Sequence, residues 1–316
     1  MLTLGDVIAA AARLEAQVNK TPVLVDHGLN MLVGADVRLK AECLQETGSF
    51  KFRGASNAIA QLSADELAAG VVTYSSGNHG QAVARAASLA GTTAVVVMPH
   101  DAPLQKAAMT QAEGAEIVRY DRYGEDRVEI AEEIAKAEGR ALIPPFDDYG
   151  VMAGQGTAAL ELLDQVDSLD ALFVPVGGGG LLAGCATVMR DRCPQAEIYG
   201  VEPEAGDDHR RSRRRGERVE IPVPVTIADG QQISTPGRLT WPINERLTSQ
   251  FLTVTDPEIT ITMRLLFERL NIVVEPSGAS ALAALIHRDL SLKGKRIGVI
   301  LSGGNVGWPR FQDLTA

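Results

Sequence analysis

VPVGGGGLLAG, at residues 174–184, is a hydrophobic run that passes through four glycines into a second apolar run. This order is typical of a buried strand, a tight turn and a helix. Because glycine has no Cβ, four in succession let consecutive backbone N–H groups converge on one anion at the positive end of the helix. A tight turn alone needs only one glycine. The run therefore predicts an α/β protein with a phosphate site at this turn.

The phosphate does not belong to a common nucleotide pattern. A dinucleotide-binding GxGxxG would place its last glycine at position 182, where this chain has Leu182. A Walker loop would end in Gly-Lys-Ser or Gly-Lys-Thr, and no such triplet follows the glycines. We therefore expect the phosphate of a ligand other than NAD or ATP.

Short β-branched runs alternate with alanine-rich stretches through most of the chain, which predicts βαβ units with parallel strands. The predicted strands are residues 37–41, 71–74, 93–98, 116–119, 171–176, 198–201 and 296–301. The predicted helices are residues 52–62, 81–90, 104–113, 125–138, 152–166, 181–192 and 255–270, with one more after Pro276. Residues 203–250 are expected to be a surface loop around a few short elements, and the arginine cluster at 209–215 is expected to be a solvated part of it.

Composition excludes several classes of protein. The chain has 316 residues, of which 45% are hydrophobic and 22% charged, enough to bury a large core. Thirty basic and forty acidic residues give a net charge of −10, which disfavours nucleic-acid binding. No apolar run approaches the roughly 18 residues of a membrane span, and residues 1–20 lack a signal-peptide pattern. The scattered Cys43, Cys185 and Cys193 are typical of a reducing compartment, so we expect a cytoplasmic protein.

Three further segments combine small polar residues with a strand or helix end. YSSGNHGQ at 74–81 could hold a small anion such as a carboxylate, although an ordinary capping turn is the alternative for an isolated Ser-Gly-Asn. In TGSFKFRG at 47–54, the first helical turn favours the neutral, nucleophilic form of Lys51, although a lone helix lysine is more often solvated. SGGN at 302–305 follows a buried strand. Since ligands bind beyond the carboxyl ends of parallel strands, we expect one shared crevice.

Together these segments resemble the fold-type II pyridoxal phosphate enzymes, in particular the serine/threonine dehydratase and serine racemase branch. The matching motifs occur in the family's order and span nearly the whole chain: SFKFRGA at 49–55, SSGNHGQ at 75–81, AGQGT at 153–157, the four glycines and SGGN at 302–305. The resemblance implies a tryptophan synthase β-like α/β fold, with two three-layer α/β/α domains built on open, twisted, mainly parallel sheets. It also implies a large domain of residues 1–63 and 148–316, an inserted mobile small domain of residues 64–147, and a homodimer.

The resemblance assigns roles to individual residues. It implies that pyridoxal 5′-phosphate contacts Phe50, Lys51, Asn78, Gly177, Gly178, Gly179, Gly180, Leu181, Gly230, Glu275 and Ser302. Lys51 carries the cofactor and acts as a base, and Ser76 is the second base on the opposite face of the substrate. The substrate-binding residues are Ser75, Ser76, Asn78, His79 and Arg127. A divalent cation, Mg²⁺, Mn²⁺ or Ca²⁺, is expected at Glu202, the Gly206 carbonyl and Asp208.

The implied activity is deamination of small 3-hydroxy amino acids. Conversion of L-serine or L-threonine to a 2-oxo acid and ammonia is the first interpretation. A serine racemase, or an ammonia-lyase for L-threo-3-hydroxyaspartate with an added contact for the second carboxylate, is the alternative. A β-replacement synthase is disfavoured because those enzymes tend to carry TSGNTG in the loop, and a non-catalytic amino-acid sensor is disfavoured by Lys51. Because Ala316 follows soon after Ser302, no C-terminal regulatory domain is expected.

Overall fold

The structure of the protein is a computed structural model that describes residues 1–75, 77–102 and 104–316. Its strands are β1 (Val23–Leu24), β2 (Asp36–Ala41), β3 (Val71–Tyr74), β4 (Ala94–Pro99), β5 (Glu116–Tyr120), β6 (Ala141–Leu142), β7 (Ala171–Pro175), β8 (Glu197–Pro203), β9 (Gln250–Val254) and β10 (Arg296–Leu301). Its α-helices are α1 (Leu4–Leu14), α2 (His27–Val33), α3 (Lys51–Ile59), α4 (Ala64–Ala69), α5 (Asn78–Leu89), α6 (Leu104–Ala112), α7 (Arg127–Glu138), α8 (Tyr149–Val166), α9 (Gly180–Arg192), α10 (Asp208–Arg215), α11 (Thr240–Leu247), α12 (Asp256–Leu270), α13 (Pro276–His287) and α14 (Trp308–Thr315).

A six-stranded sheet in the order β1-β2-β10-β7-β8-β9 forms the larger layer. Its neighbours are parallel except for β1 and β2, which are antiparallel. Strand β7, in the interior of the sheet, is buried along its whole length, as its unbroken apolar sequence predicts. Helices pack on both faces, so the predicted α/β class with mainly parallel sheets is confirmed.

A four-stranded parallel sheet in the order β5-β4-β3-β6 forms the smaller layer. Its strands lie between residues 71 and 142, inside the segment 64–147 that the sequence assigns to a small domain. Helix α5 follows β3 and packs against α3, which joins this sheet to the lysine-bearing helix. The domain boundaries and the mobility of this segment stay predictions.

Close contact of α8 with α9 explains two glycines, of which Gly156 belongs to the AGQGT motif. A Cβ on Gly184 of α9 would lie 2.3 Å from the carbonyl oxygen of Met152 on α8. A Cβ on Gly156 would lie 2.9 Å from the Gly184 carbonyl oxygen. Because neither backbone can move away, both positions require glycine. This contact fixes α9, and therefore the four-glycine turn that begins it.

Residues 203–250 match the expected surface loop around a few short elements, with α10 and α11 as its two α-helices, but the expectation that the arginine cluster is a solvated loop is wrong. The arginine cluster forms α10, which ends at Gly216 with φ +73°. Arg213 in its last turn donates to the carbonyl oxygens of Glu245 at 2.7 Å and Thr248 at 2.8 Å. Arginines near the negative end of a helix stabilise it, so the charge run supports a helix packed on the protein rather than a free loop.

Two smaller predictions have direct structural counterparts. Cys43, Cys185 and Cys193 are free and buried. Within the described ranges, no helix has the length and apolarity required to cross a membrane.

Candidate active site

A cavity of about 790 Å³ lies beyond the carboxyl ends of β3, β7 and β10, so the expected shared crevice exists. The predicted site residues that line it are Phe50, Lys51, Ser75, Asn78, His79, Arg127, Gly177, Gly178, Gly179, Gly180, Leu181, Gly230, Glu275 and Ser302. Ser76 lies outside the described residues. Of the residues predicted to bind a cation, Glu202 and Asp208 belong to a separate buried cluster.

Lys51 begins helix α3 and points into the cavity. Its Nζ donates a hydrogen bond of 2.5 Å to the Pro145 carbonyl oxygen and lies 5.3 Å from the centre of the Phe50 ring. Burial lowers the pKa of the Lys51 amine to about 8. A substantial fraction of the amine is therefore neutral near physiological pH, and a neutral amine is a nucleophile.

The four-glycine turn exposes its amides to the cavity and anchors its carbonyls elsewhere. The Gly178 carbonyl accepts from Thr240 Oγ1 at 2.7 Å, and the Gly179 carbonyl accepts from Asn244 Nδ2 at 3.0 Å. Among the described residues, the N–H groups of 177–181 donate to no protein acceptor. Gly179 has φ +94°, which glycine adopts without strain. These free N–H groups at the start of α9 suit a phosphate.

Neighbouring residues pack closely against the four-glycine turn. A Cβ on Gly178 would lie 2.3 Å from the Phe146 ring, and a Cβ on Gly177 would lie 2.9 Å from the Gly230 carbonyl oxygen. The Gly230 N–H in turn donates to Ser277 Oγ at 2.9 Å. Phe146 and Gly230 therefore pack so closely against the turn that positions 177 and 178 require glycine.

A chain of three polar side chains crosses the floor of the cavity. Asn78 Nδ2 donates to Glu275 Oε1 at 2.5 Å, and Asn305 Nδ2 donates to Asn78 Oδ1 at 3.0 Å. Burial raises the pKa of Glu275 to about 7, although the Lys106 ammonium opposes this shift. In the part of the chain that the structure describes, Glu275 Oε2 has no hydrogen-bond partner. Asn305 was not singled out from sequence, although it belongs to the SGGN motif.

Two residues of the loop after β3 are fixed by the protein itself. His79 Nε2 lies 3.0 Å from the Ile143 carbonyl oxygen, so this nitrogen carries the proton. Burial, reinforced by the Lys51 charge, lowers the pKa of His79 to about 3 and keeps the ring neutral. Ser75 Oγ accepts from the Gly77 N–H at 3.2 Å. The loop thus presents neutral polar groups at the start of helix α5, as a carboxylate site requires.

Ser302 follows β10 and is buried beside Lys51. Its carbonyl accepts from the Phe50 N–H at 3.1 Å, and its neighbour Gly303 bridges to Ser49. The backbone contacts fix the distance between the end of β10 and the start of α3. The Ser302 side chain therefore reaches the cavity from a rigid support.

Arg127 has no carboxylate partner within residues 1–75, 77–102 and 104–316, unlike Lys106 and Arg122, which also line the cavity. Its guanidinium lies 5.7 Å from the centre of the Tyr74 ring. The paired cations are Lys106, with Asp229, and Arg122, with Asp101. The Lys106–Asp229 pair could not be predicted from the sequence, because no local pattern links residues 123 positions apart. Arg127 is thus available to bind an anionic group.

The second cluster contains Glu202, Asp208 and His209, all buried and with ligand atoms within 4.8 Å of one another. Glu202 accepts the N–H groups of His209 at 2.8 Å and Arg210 at 3.0 Å, which caps helix α10. Burial raises the pKa of Glu202 to about 7. Burial opposes a charge on His209, but attraction to both carboxylates raises its pKa to about 9. Gly206 is buried at the end of the turn Glu204–Gly206. His209 was not among the ligands predicted from the sequence.

Comparisons with known proteins agree with this geometry. The model of the family "Pyridoxal-phosphate dependent enzyme" matches residues 14–303. The chain is 48% identical to the L-threo-3-hydroxyaspartate ammonia-lyase of Saccharomyces cerevisiae, over 99% of this chain and 96% of that one. It is 47% identical to the serine racemase of Schizosaccharomyces pombe, over 98% and 96%. The structure of maize serine racemase superposes with a TM-score of 0.95 at 37% identity, over 99% and 96%.

Proposed function

Because the chain belongs to the pyridoxal-phosphate dependent enzymes, we propose that it is an ammonia-lyase with L-threo-3-hydroxyaspartate as its preferred substrate. The enzyme has lyase activity of the fold-type II family. The observation that carries the choice of substrate is Arg127, a cavity cation without a carboxylate partner among the described residues. L-Serine and L-threonine have one carboxylate and leave this cation unused. A dicarboxylic substrate employs it.

The residues of the cavity fit pyridoxal 5′-phosphate. The free N–H groups of residues 177–181 would hold the phosphate, and Lys51 would carry the aldehyde carbon. Asn78 and Ser302 would contact polar atoms of the ring, with Phe50, Gly230 and Glu275 around it. When bound, the group supplies an aldehyde that condenses with amines and a ring that acidifies the Cα–H bond.

Lys51 would move the proton at the substrate Cα. With a pKa of about 8, its Nζ is partly neutral at neutral pH and can accept this proton. Loss of the β-hydroxyl as water and hydrolysis of the resulting enamine give oxaloacetate and ammonia from 3-hydroxyaspartate. Ser302 offers the ring a neutral hydroxyl rather than a carboxylate, which disfavours a permanently protonated ring. A neutral partner for the ring suits an elimination, in which the leaving group departs promptly.

Two parts of the cavity would hold the two substrate carboxylates. The α-carboxylate would bind at the start of helix α5, beside Ser75, Asn78 and His79, with Ser76 from the same loop. The second carboxylate would pair with Arg127, whose planar guanidinium can bind both oxygens. The geometry would hold Cα near Lys51 and exclude water from the charged ends.

Serine racemisation is the second candidate, favoured by the similarity to the racemases of fission yeast and maize. A racemase needs a proton donor on each face of Cα. We propose Lys51 and Ser76 for these roles.

We also propose a divalent cation at the Glu202–Asp208 cluster. The fit rests on two buried carboxylates, of which Asp208 Oδ2 has no partner in the described part of the chain. A cation there would neutralise two buried carboxylates at the start of helix α10, which packs beside the four-glycine turn. A homodimer, and a small segment of residues 64–147 that closes over substrate, complete the proposal.

A product profile tests the proposed substrate. Purified holoenzyme is supplied separately with L-threo-3-hydroxyaspartate, L-serine and L-threonine. Release of 2-oxo acid is followed by coupled dehydrogenases, and D-serine is measured by chiral chromatography. We expect kcat/KM for hydroxyaspartate to exceed that for L-serine at least about tenfold, which corresponds to about 1.4 kcal/mol. Equal values would overturn the choice of substrate, and D-serine as the main product would establish the racemase.

A further inference from the structure

We propose that His209 is a ligand of this cation, through Nδ1, and that the site therefore prefers Mn²⁺ or Co²⁺ to Ca²⁺. The inference rests on the proposed cation site and adds to it a residue of this chain. An imidazole beside two carboxylates is a different donor set from the expected carboxylates and carbonyl.

The distances between the three side chains support a shared ion. His209 Nδ1 lies 3.6 Å from Glu202 Oε1 and 3.5 Å from Asp208 Oδ2. Both separations exceed a good hydrogen bond, which for a nitrogen and an oxygen spans about 2.7 to 3.2 Å. Two ligand atoms that are each about 2.1 Å from one metal ion lie about 3 to 3.5 Å apart. His209 Nδ1 is thus spaced from the two carboxylate oxygens almost as one metal ligand is from another, and too widely for a good hydrogen bond.

Two of these three atoms are buried without a hydrogen-bond partner. His209 and Glu202 are 0% exposed and Asp208 is 1% exposed. Among residues that the structure describes, Asp208 Oδ2 and His209 Nδ1 make no hydrogen bond. A buried polar group without a partner destabilises the folded protein, and does so more strongly when it is charged. A cation between them removes this cost for both groups at once.

The imidazole ring is held in place by its neighbours. It lies 5.4 Å from the Phe251 ring and 6.0 Å from the Trp241 ring. On its other side, Nε2 would lie 2.8 Å from a Cβ on Gly179, so the ring packs against the four-glycine turn. His209 therefore cannot rotate away from the carboxylates without disturbing either the aromatic residues or the turn.

The donor set decides the choice of metal. Mg²⁺ and Ca²⁺ prefer oxygen ligands, whereas an imidazole nitrogen favours later divalent metals. Affinity for a nitrogen-containing site rises from Mn²⁺ to Co²⁺. A site with His209 as ligand therefore binds Co²⁺ and Mn²⁺ more tightly than Ca²⁺, and loses this preference without the ring.

Calorimetry on the holoenzyme tests the preference. Protein freed of metal by a chelator is titrated with MnCl₂, CoCl₂ and CaCl₂, for the native chain, His209→Asn and the matched control His100→Asn, which replaces an exposed histidine. We expect His209→Asn to lower the affinity for Mn²⁺ and Co²⁺ by about tenfold or more. The affinity for Ca²⁺ should change by less than about threefold. His100→Asn should match the native chain for all three ions.

Spectroscopy on the native chain tests the ligand directly and needs no variant. Electron spin-echo modulation of bound Mn²⁺ detects a coordinated imidazole nitrogen, and histidine labelled with ¹⁵N changes this signal. Bound Mn²⁺ without a nitrogen signal would overturn the role of His209 and leave the carboxylate site intact. Absence of binding by all three ions would overturn the cation site itself, while the product profile above would still test the ammonia-lyase.

Discussion

Asn78 on helix α5 donates a hydrogen bond of 2.5 Å to Glu275, 197 residues farther along the chain at the start of helix α13. This bond connects a helix that packs beside the smaller sheet with a helix that packs on the larger one. Glu275 is 2% exposed, and its second carboxylate oxygen has no partner among the described residues. The cavity thus contains a buried carboxyl group whose ionisation is unfavourable.

The native chain should lose stability when Glu275 ionises at higher pH, and Glu275→Gln should prevent this loss. Burial raises the pKa of Glu275 from 4.5 to about 7, so the folded protein binds an extra proton between these values. Stability is therefore fully present below pH 4.5 and falls as pH rises towards 7. We expect the Tm of Glu275→Gln to exceed that of the native chain by roughly 2 to 5 °C at pH 8, with a smaller difference at pH 5.

Scanning calorimetry at both pH values measures this effect. The matched control is Glu133→Gln, which changes an exposed carboxylate of helix α7. Its Tm should follow the native chain at both pH values. An equal gain at pH 5 and pH 8 would show that the effect comes from packing and not from the buried charge.

Lys51→Met should abolish deamination and stabilise the protein without cofactor. The amine acts on the substrate, so we expect kcat to fall at least about a thousandfold. Burial lowers the pKa of Lys51 from 10.5 to about 8, so the unfolded chain binds more protons between pH 8 and 10.5. The buried Lys51 ammonium therefore destabilises the fold most strongly below pH 8. This destabilisation decreases as the pH rises from 8 to 10.5.

Urea unfolding of the apoenzyme checks the second half of this prediction. Lys51→Met should be more stable than the native chain at pH 7, with a difference that shrinks by pH 10. Lys136→Met, at an exposed position, is the control. A variant that retains deaminase activity would contradict the role of Lys51.

Most of the fold could be predicted because the strands of a doubly covered sheet are nearly all apolar. Strand β7 has the sequence ALFVP and precedes the four glycines, and β10 has RIGVIL and precedes SGGN. Strands β1 and β6 have only two residues each, too few for a period to be recognised. Helix α10 was missed because its arginines satisfy carbonyls that are distant in sequence.

The candidate site was predictable where one segment carries the chemistry, as in the glycine turn and in the segment around Lys51. It was not predictable where two distant segments meet. Phe146 fills the space beside Gly178, and Pro145 accepts the Lys51 hydrogen bond, but neither residue belongs to a motif. His209 follows Asp208 directly, so a search for histidine beside the acidic pair would have found it.

Arg127→Gln should change substrate preference more than turnover. If the guanidinium binds the second carboxylate, its loss should cost about 1.5 to 3 kcal/mol, or roughly 10- to 150-fold in kcat/KM for L-threo-3-hydroxyaspartate. The value for L-serine should change by less than about threefold. Arg127→Lys keeps the charge, so its kcat/KM for L-threo-3-hydroxyaspartate should lie between those of the native chain and Arg127→Gln. Arg310→Gln, which replaces an exposed arginine, is the control. Parallel losses for both substrates would assign Arg127 a structural role.

Gly178→Ala should weaken binding of pyridoxal 5′-phosphate, because the added methyl group would collide with Phe146. The added methyl would lie 2.3 Å from the Phe146 ring, so either the ring or the turn must move. We expect the Kd of the cofactor, measured by fluorescence titration of the apoenzyme, to rise at least about tenfold. Gly5→Ala, whose methyl would meet only Thr3 Oγ1 at 3.6 Å, should bind normally.

The double variant Gly178→Ala with Phe146→Ala separates the conflict from a general loss of the phosphate site. Removal of the ring opens the space that the new methyl needs, while the free N–H groups of the turn remain. Because the two residues are in contact, their effects on cofactor affinity should not add. We expect the double variant to bind the cofactor more tightly than Gly178→Ala alone. Additive losses would show that the methyl blocks the phosphate itself and that Phe146 does not limit the width of the turn.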